Sequence, residues 1–424
     1  EVNVNQREAF MQLFSWHPDL QMTMKDAGNY QKVWETYYNL ILGANAALDY
    51  IKEVSGTEED KAHVQAQALA LRAFYYLQLV NLFGEPYTYN KEALGVPLKL
   101  TSALSISYDK RKTVGEVYDQ IVRDLDEAEK YFLMLPKEKQ FLPNYRITLP
   151  AVQLLKARVN LYMNNLEEAA KYAKNVIEDW DFVLYDLRSI SYDGVTFPNY
   201  VTYDNPETIW AFGKRNDLLK FTHDLMGDYG VKDHRVLINA SDELVDNYED
   251  EGDLRKQFYL VPEYGYTPVC YLAVSKCVFL GESIPSDDKF MLALRLSEAY
   301  LILAEATAKT DPTIALNAVN ELRKKRISEE KYKDKSGLSG DELLEFVRNE
   351  RRRELCFEGH RWFDLRRYGM PSFTRVWKEG GVAAKWFTME KEDAAYTLPI
   401  SKEVLDRDRG VLFGELVDLL AQAV

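Results

Sequence analysis

The chain has 424 residues, of which 46% are hydrophobic and 28% are charged, so it is long enough to bury a large core. Its formal net charge of −14 repels phosphate backbones and anionic lipids, which argues against nucleic-acid binding and against docking on an acidic membrane surface. The sequence contains no run of about 18 apolar residues, so it predicts no transmembrane helix.

Helical periodicity dominates the first part of the chain. Apolar residues at steps of three and four predict one buried stripe over residues 31–54, formed by Val33, Tyr37, Leu40, Ile41, Ala44 and Leu48. A second helix is predicted over residues 58–83, because Gly84 and Pro86 follow it as stop signals. Thr113 precedes Glu116 by three residues, a capping-box spacing that predicts the start of the next helix.

The clearest internal repeat covers residues 150–178. Two helices are predicted there, joined by a tight turn at residues 164–166, and small alanines near the turn allow the helices to approach closely. The same pattern recurs over residues 300–322, with a turn at residues 311–312. Paired helices with this spacing are typical of tetratricopeptide-like repeats, so the sequence predicts a mainly α fold.

The periodicity stops between residues 180 and 288, where glycine and proline are frequent. A last helical block is predicted over residues 340–368, with Ser339 and Glu342 as its capping box. We therefore predict an N-terminal helical part at 1–180, an irregular, partly β insertion at 181–287, and a C-terminal helical part at 288–424 that completes the same domain. The insertion is the expected ligand-binding side, because long irregular segments in compact proteins are usually functional.

The sequence contains no recognisable pattern for catalysis or for a cofactor. It has no nucleophile elbow, no Gly-rich phosphate loop and no histidine-based zinc motif, and its three cysteines lack metal-type spacing. With 67 acidic residues, pairs of carboxylates arise by number alone and do not indicate a glycosidase. We therefore predict no catalytic residue, no metal site and no cofactor.

Five segments, in this order, resemble the SusD/RagB family. They are RAFYYLQLVNLFGEPY at 72–87, TVGEVYDQIVRDLDEAEKYF at 113–132, RLSEAYLILAEA at 295–306 with NELRKKR at 320–326, RNERRRELCFEGHRWFDLRRYG at 348–369, and LPIS at 398–401. Ser401 replaces the second proline of the family's Leu-Pro-Ile-Pro. The residues that match the family's motifs are Arg72, Gly84, Pro86, Arg295, Glu298, Glu350, Arg351, Glu354, Glu358, Gly359, Arg361 and Asp364.

The resemblance implies a SusD-like, right-handed superhelix of tetratricopeptide-like helical pairs. It also implies a lipoprotein on the outward face of a Bacteroidetes outer membrane, which binds glycan without cleaving it and passes it to a SusC-like TonB-dependent transporter. The lipid-bearing cysteine of the family is absent from this chain, so membrane contact is expected only through an N-terminal lipid anchor of the precursor. The tail at 411–424 also departs from the family's pattern.

The charged residues of segment 348–369 allow two interpretations. Their steps of three and four predict ion pairs along a helix face, which could either bind an anion or lock the helix to its neighbours. The family carries these residues as part of its fold signature, so the resemblance favours the structural role. The acidic cluster at 249–253 is similarly interpreted as a structural turn rather than a calcium loop.

Glycan binding needs flat aromatic faces beside polar groups, and Trp and Tyr supply such faces at low entropy cost. Trp210 lies in a segment that resembles a core strand of the family, and Trp34 and Trp362 lie on helical stripes, so these three are predicted to be buried. The candidate ligand-binding residues lie instead in irregular segments: Trp16, Tyr200, Tyr203, Tyr264 and Tyr266.

Three alternatives to a glycan-binding surface protein stay open at this point. The first is an intracellular tetratricopeptide-type scaffold that binds peptides in a concave groove. The second is a SusD-like protein for a nutrient other than a glycan, and the third is a glycoside-cleaving enzyme. The sequence alone does not identify the glycan or its linkage.

Overall fold

The structure is a computed structural model, and it describes residues 11–17, 33–103, 109–142, 146–190, 205–213, 240–248, 252–263, 270–272, 292–379 and 382–408. Within these ranges the helices are α1 Val33–Tyr50, α2 Glu58–Phe83, α3 Tyr87–Asn90, α4 Val114–Leu133, α5 Lys137–Gln140, α6 Leu149–Tyr162, α7 Leu166–Glu178, α8 Asp242–Asp246, α9 Leu254–Tyr259, α10 Leu296–Thr307, α11 Pro312–Lys324, α12 Gly340–Glu354, α13 Arg361–Arg367 and α14 Lys402–Asp408. No helix in the described part of the chain is both long enough and apolar enough to cross a membrane.

The strands are few and short: β1 Thr208–Phe212, β2 Val261–Glu263, β3 Cys270–Leu272, β4 Leu292–Arg295, β5 Phe373–Glu379 and β6 Val382–Met389. They form three antiparallel pairs, β1 with β4, β2 with β3 and β5 with β6. Trp210 on β1 is paired with Leu294 on β4 and is only 4% exposed, so its predicted place in a buried strand is confirmed. The predicted mainly α class is confirmed as well.

The chain divides into two compact units, one formed by Glu1–Leu135 with Trp362–Val424 and the other by Pro136–Arg361. These bounds differ from the three ranges expected from the sequence, 1–180, 181–287 and 288–424. The helical periodicity marks where elements begin and end, but it does not show which elements pack together. The ligand-binding role of the middle range stays a prediction.

Helix α2 is the centre of the first unit, where it packs against α1 and α4. It begins after Thr57, whose hydroxyl accepts a hydrogen bond from the backbone N–H of Asp60 at 3.1 Å, and it ends at Phe83 as predicted. The capping box that opens α4 is also confirmed. The Thr113 hydroxyl accepts from the backbone N–H of Glu116 at 3.1 Å, and the Glu116 carboxylate accepts from that of Thr113 at 2.8 Å.

Gly84 follows α2 at a point of close approach. A Cβ atom at this position would lie 2.9 Å from Val114 Cγ2 and 2.9 Å from the carbonyl oxygen of Val80, so a side chain would force the chain apart. The carbonyl oxygen of Gly84 accepts a hydrogen bond from the buried guanidinium of Arg366, which also donates to the carbonyl oxygen of Tyr396. Burial lowers the pKa of Arg366 to about 10. The family-motif glycine therefore has a packing role.

The second unit contains both predicted helical pairs. Helix α6 packs against α7, and α10 packs against α11 and also against α7. The turn between α6 and α7 places Asn164 at a φ of 63°, a left-handed conformation that asparagine tolerates better than most residues. The small side chains that allow this close packing are fully buried: Ala169, Ala173, Ala304 and Ala315. The tetratricopeptide-like pattern is thus confirmed at both places.

The predicted helical block 340–368 consists of two helices, because α12 ends at Glu354 and Gly359 at a φ of 80° helps turn the chain before α13. Two other sequence-based expectations about these elements were wrong. Leu40 is 42% exposed, whereas Asn45 on the same helix is fully buried because it bonds the carbonyl oxygens of Lys99 and Thr101. Ser339 is the N-cap residue of α12, but its side chain makes no capping hydrogen bond.

Candidate functional site

Arg295 is the centre of a group of buried ion pairs in the second unit. It is the last residue of β4, where it pairs with Thr208 on β1, and it is 1% exposed. Its guanidinium donates to both carboxylate oxygens of Glu358, at 2.9 and 2.7 Å, and its Nη1 lies 3.1 Å from Glu207. A second contact from Nη1 reaches Glu354 at 3.2 Å. A bidentate guanidinium–carboxylate pair of this kind fixes orientation as well as charge.

Glu207 and Glu354 are shared with Arg326, the last residue of the NELRKKR segment. Arg326 donates to Glu207 at 2.5 Å and to the two oxygens of Glu354 at 3.0 Å each. Glu354 is also 3.3 Å from Arg255, which forms a bidentate pair with Asp253. Asp253 is 7% exposed and is the N-cap residue of α9, so its role is structural. Residues 249–251 of the acidic cluster lie outside the described residues, and their interpretation as a structural turn stays a prediction.

Glu350 on α12 is surrounded by three arginines. Its carboxylate lies 2.6 Å from Arg255, 2.8 Å from Arg353 and 3.6 Å from Arg323. Burial raises the pKa of Glu350, but the charges of Arg255, Arg353 and Arg323 outweigh burial and lower that pKa to about 2. The three guanidinium groups therefore favour the ionised form of Glu350.

Glu298 on α10 is held by Arg158 on α6. The guanidinium of Arg158 donates to the two carboxylate oxygens at 2.7 and 2.5 Å, and Arg351 lies 3.7 Å away on the other side. Burial raises the pKa of Glu298, but the charge and hydrogen bonds of Arg158 outweigh it, so this pKa lies below its usual value. The ring of His360 is 3.2 Å from Arg351.

The remaining motif residues with charged side chains have other partners. Arg72 forms a bidentate pair with Asp124 in the first unit, at 2.8 and 2.6 Å, and it also donates to Asn45. Asp364 accepts from Arg367 at 2.9 Å. Arg361 is exposed at the start of α13. The pKa of Glu243 is lowered mainly by a hydrogen bond from Arg352, and the charge of Arg361 lowers it further.

We call the second unit's group the buried ion-pair network: Arg158, Glu207, Asp253, Arg255, Arg295, Glu298, Arg323, Arg326, Glu350, Arg351, Arg353, Glu354 and Glu358. Each of these side chains is at most 8% exposed, and the carboxylates are already matched by guanidinium groups. The network therefore offers neither an accessible anion site nor an exposed pair of carboxylates. Its geometry favours the structural interpretation of the hallmark segment.

Trp16 lies in the first unit against the hairpin formed by β5 and β6. The guanidinium carbon of Arg375 is 4.4 Å from the centroid of the indole, and the ring of Phe373 contacts it edge-on at 5.2 Å. Trp16 has a φ of 54° and is half-buried in the cluster that contains Met389 and Tyr396. Arg375 and Phe373 thus cover part of the Trp16 ring. The predicted contact of Trp16 with a ligand stays a prediction.

The opposite face of the same hairpin carries an aromatic side chain that the sequence-based prediction missed. Trp386 is 65% exposed and is paired across the strands with Val376, which is 38% exposed. Two pairs further along the ladder, on the same face, the hydroxyls of Thr374 and Thr388 lie 2.8 Å apart, and both residues are exposed. This outward face combines a flat aromatic surface with hydroxyl groups.

Two glycines, Gly380 and Gly381, separate the runs FTRVWKE and VAAKWFTM, which are rich in aromatic and β-branched residues. Such a pattern predicts a hairpin, although it does not show which of the two faces is packed.

The other four predicted ligand-binding residues, Tyr200, Tyr203, Tyr264 and Tyr266, lie outside the described residues, so their role stays a prediction. Trp34 and Trp362, predicted to be buried, are half-buried. In the ranges that the structure describes, no group of three or more His, Cys, Asp or Glu side chains is placed to hold a metal ion.

Comparison with known proteins gives a consistent assignment along the chain. Residues 2–161 match a family model described as "Starch-binding associating with outer membrane", and residues 207–412 match the SusD family model. SusD-like protein P38 of Formosa agariphila is 26% identical over 381 residues, which are 78% of this chain and 71% of that protein. SusD-like protein P2 of the same organism is 26% identical over 390 residues, 81% and 72% of the two chains.

Solved structures show the same fold. A SusD superfamily protein of Bacteroides thetaiotaomicron superposes with a TM-score of 0.70 at 23% identity, over 89% of this chain and 84% of that one. A putative sugar binding protein of Bacteroides vulgatus also has a TM-score of 0.70, at 25% identity, over 89% and 83% of the two chains. The helical pairs, the buried ion-pair network and these matches define a SusD-type helical protein. The chain belongs to the SusD/RagB family.

Proposed function

We propose that this protein binds a glycan at the outer face of the outer membrane and delivers it to a partner TonB-dependent transporter, without cleaving it. The observation that carries the proposal is the match of residues 2–161 to a family described as starch-binding and associated with the outer membrane. The fold neighbour from Bacteroides vulgatus titled a putative sugar binding protein supports the same assignment.

The proposal that the protein does not cleave glycans rests on two properties of its buried carboxylates, their inaccessibility and their lowered pKa values. Glycoside cleavage needs two carboxyl groups that reach the substrate, one of them protonated near neutral pH. Within the described part of the chain, the buried carboxylates Glu298 and Glu350 are inaccessible, and neighbouring arginines lower their pKa values. These groups serve packing, so a binding role fits the described residues better than hydrolysis.

Tyr200, Tyr203, Tyr264 and Tyr266 are proposed as sugar contacts, because they stand in the irregular insertion beside polar residues. A Tyr ring presents an apolar face to the C–H side of a sugar, and its hydroxyl adds a hydrogen bond. An N-terminal lipid anchor on the precursor would hold such a site at the cell surface, beside the transporter that receives the ligand.

The proposal is tested by isothermal titration calorimetry of the full chain against a panel of soluble polysaccharides and their oligosaccharides. We expect saturable binding to at least one glycan, and no increase in reducing ends after prolonged incubation with it. New reducing ends would show that the protein is a hydrolase. Failure with every glycan, together with binding of a different nutrient, would replace the glycan proposal with a SusD-like protein of other specificity.

The partner and the location are tested in cells that carry the full gene. Surface proteolysis of intact cells should remove the protein, and affinity purification through it should recover a TonB-dependent transporter. Recovery of the protein in the cytosolic fraction would instead support the intracellular peptide-binding scaffold.

A further inference from the structure

The hairpin of β5 and β6 has two faces of opposite character. Strand alternation places Arg375 and Phe387 on one face and the pairs Val376–Trp386 and Thr374–Thr388 on the other. The first face is packed, because Arg375 lies over the rings of Trp16 and Phe14. The second face, which we call the outward face, is directed away from this packing.

The outward face is held on a firmly anchored support. Phe373, at the first β5 position, pairs with Met389, which is 1% exposed, and the Ser372 hydroxyl donates to the backbone oxygen of Met389 at 2.9 Å. Arg375 is half-buried among aromatic rings, and this partial burial lowers its pKa to about 10. The contacts on the packed side fix the position of the strands. Binding of a ligand to the outward face therefore costs the protein little conformational entropy.

Trp386 has the chemistry of a stacking surface. It is the most exposed aromatic side chain among the described residues, at 65%, ahead of Tyr50 at 55% and Tyr89 at 53%. In the same set of residues no other ring packs on its indole. An exposed indole on a strand presents a flat apolar face at low entropy cost.

The two threonines add polar groups at a suitable spacing. Thr374 and Thr388 share one hydrogen bond between their hydroxyls, so one O–H hydrogen of the pair stays available for an outside acceptor. The pair lies two residues along the strands from Trp386, which corresponds to about 7 Å. A sugar stacked on the indole would thus place its own hydroxyls, or those of the next sugar, near the threonines.

The size and charge of the outward face decide between possible ligands. A stable protein interface buries about 800 Å² on each partner, whereas Val376 and Trp386 are the large exposed apolar side chains among those that the structure describes on this face. The outward side chains that the structure describes on these strands, at positions 374, 376, 384, 386 and 388, are uncharged. The face therefore suits a small, uncharged, hydroxyl-rich partner.

We propose that Trp386, with Thr374 and Thr388, forms a contact site for an uncharged glycan, in which a sugar ring stacks on the indole and a sugar hydroxyl bonds to the threonine pair. The proposal rests on the proposed glycan-binding function and assigns to it a site that lies outside the irregular insertion. Since this site and the insertion are separate in sequence, loss of one leaves the other able to hold part of a polymer.

The test is affinity electrophoresis of the full chain in native gels that contain amylopectin, laminarin or the polyanionic alginate. We expect at least one uncharged polysaccharide to retard the wild-type protein, and alginate to leave its mobility unchanged. Trp386→Ala should weaken the affinity about tenfold, the loss expected for one stacked ring. Trp386→Phe should retain part of the affinity, and Tyr89→Ala, a matched exposed aromatic on a helix, should retain all of it.

A second readout separates direct contact from structural effects. Binding of the retarding polysaccharide should change the tryptophan fluorescence of the wild-type protein, and Trp386→Phe should remove most of that change. Full retention of affinity in Trp386→Ala would overturn the proposed site, as would stronger binding to alginate than to the uncharged polymers. A wild-type protein that no gel retards would instead contradict the proposed function itself.

Discussion

The guanidinium of Arg158 and the carboxylate of Glu298 form two hydrogen bonds, at 2.7 and 2.5 Å, although the residues are 140 positions apart in the chain. The pair joins α6 to α10, the first helices of the two predicted repeats, and both side chains are buried. Two helical pairs that are distant in sequence are therefore connected by one charged contact as well as by apolar packing.

Removing one partner of this pair should be strongly destabilising. Arg158→Met leaves the Glu298 carboxylate buried with reduced compensation, and breaking a buried pair in this way typically costs about 3–5 kcal/mol. Urea denaturation followed by circular dichroism should show a lower free energy of unfolding. Lys171→Ala removes an exposed i,i+3 pair with Glu168 and is the matched control, with an expected loss below about 0.5 kcal/mol. Equal losses in the free energy of unfolding for Arg158→Met and Lys171→Ala would contradict the structural role of the Arg158–Glu298 pair.

The pH dependence of stability should reveal the lowered pKa of Glu350. Its pKa is about 2 in the folded protein and near its usual value of 4.5 when unfolded, so the unfolded chain binds the proton more readily. The stabilisation is therefore complete above about pH 4.5 and is lost as the pH falls towards 2. One group with this shift contributes on the order of 3 kcal/mol.

The measurement is the free energy of unfolding between pH 7 and pH 3 for the wild type and for Glu350→Gln. The variant should be less stable at pH 7, and its stability should fall less steeply below pH 4.5, because it lacks one titrating carboxylate. Glu116→Gln is the comparison variant at an exposed position. The pKa of Glu116 is lowered chiefly by a backbone hydrogen bond from Thr113. Parallel curves for the wild type and Glu350→Gln would show that Glu350 does not contribute to the slope.

The sequence predicted that the charged segment 348–369 is structural, but not which partners it uses. Steps of three and four suggested pairs along one helix, and Glu350 with Arg353 is such a pair. Most of the other contacts join residues on different elements that are distant in sequence. Arg326 and Glu354 are 28 residues apart, Arg295 and Glu358 are 63 apart, and Arg255 and Glu354 are 99 apart. Periodicity describes one helix face, whereas these contacts depend on which elements become neighbours.

The prediction of binding residues has the same limit, because the sequence does not show which side chains pack against a candidate. Trp16 stands in a segment without helical periodicity, but the structure places its ring against Arg375 and Phe373, which are far from it in sequence. Trp386 is not among the predicted contacts, although the two glycines before its run of aromatic and β-branched residues indicate a hairpin. Which of the two faces of a hairpin is packed depends on the residues that cover it, and the sequence does not show that directly.

The two capping boxes predicted from the sequence provide a matched pair of variants. Thr113→Ala removes an observed hydrogen bond to the backbone N–H of Glu116 and should lower the free energy of unfolding by about 1 kcal/mol. Ser339→Ala removes a hydroxyl that makes no capping bond and should change it by only a few tenths of a kcal/mol. Urea titrations measure both, and a larger loss for Ser339→Ala would show that the assigned caps are wrong.

The two tryptophans on opposite faces of the hairpin should respond to substitution in opposite ways. Trp16→Ala removes a half-buried ring and its contact with the Arg375 guanidinium, so we expect a loss of about 2–4 kcal/mol in stability. Trp386→Ala removes an exposed ring and should leave the unfolding midpoint nearly unchanged while it weakens glycan binding. Thermal unfolding and affinity electrophoresis of the same two variants measure both quantities. If Trp16→Ala unfolds like the wild type but loses glycan affinity, Trp16 is a ligand contact rather than a support for the hairpin.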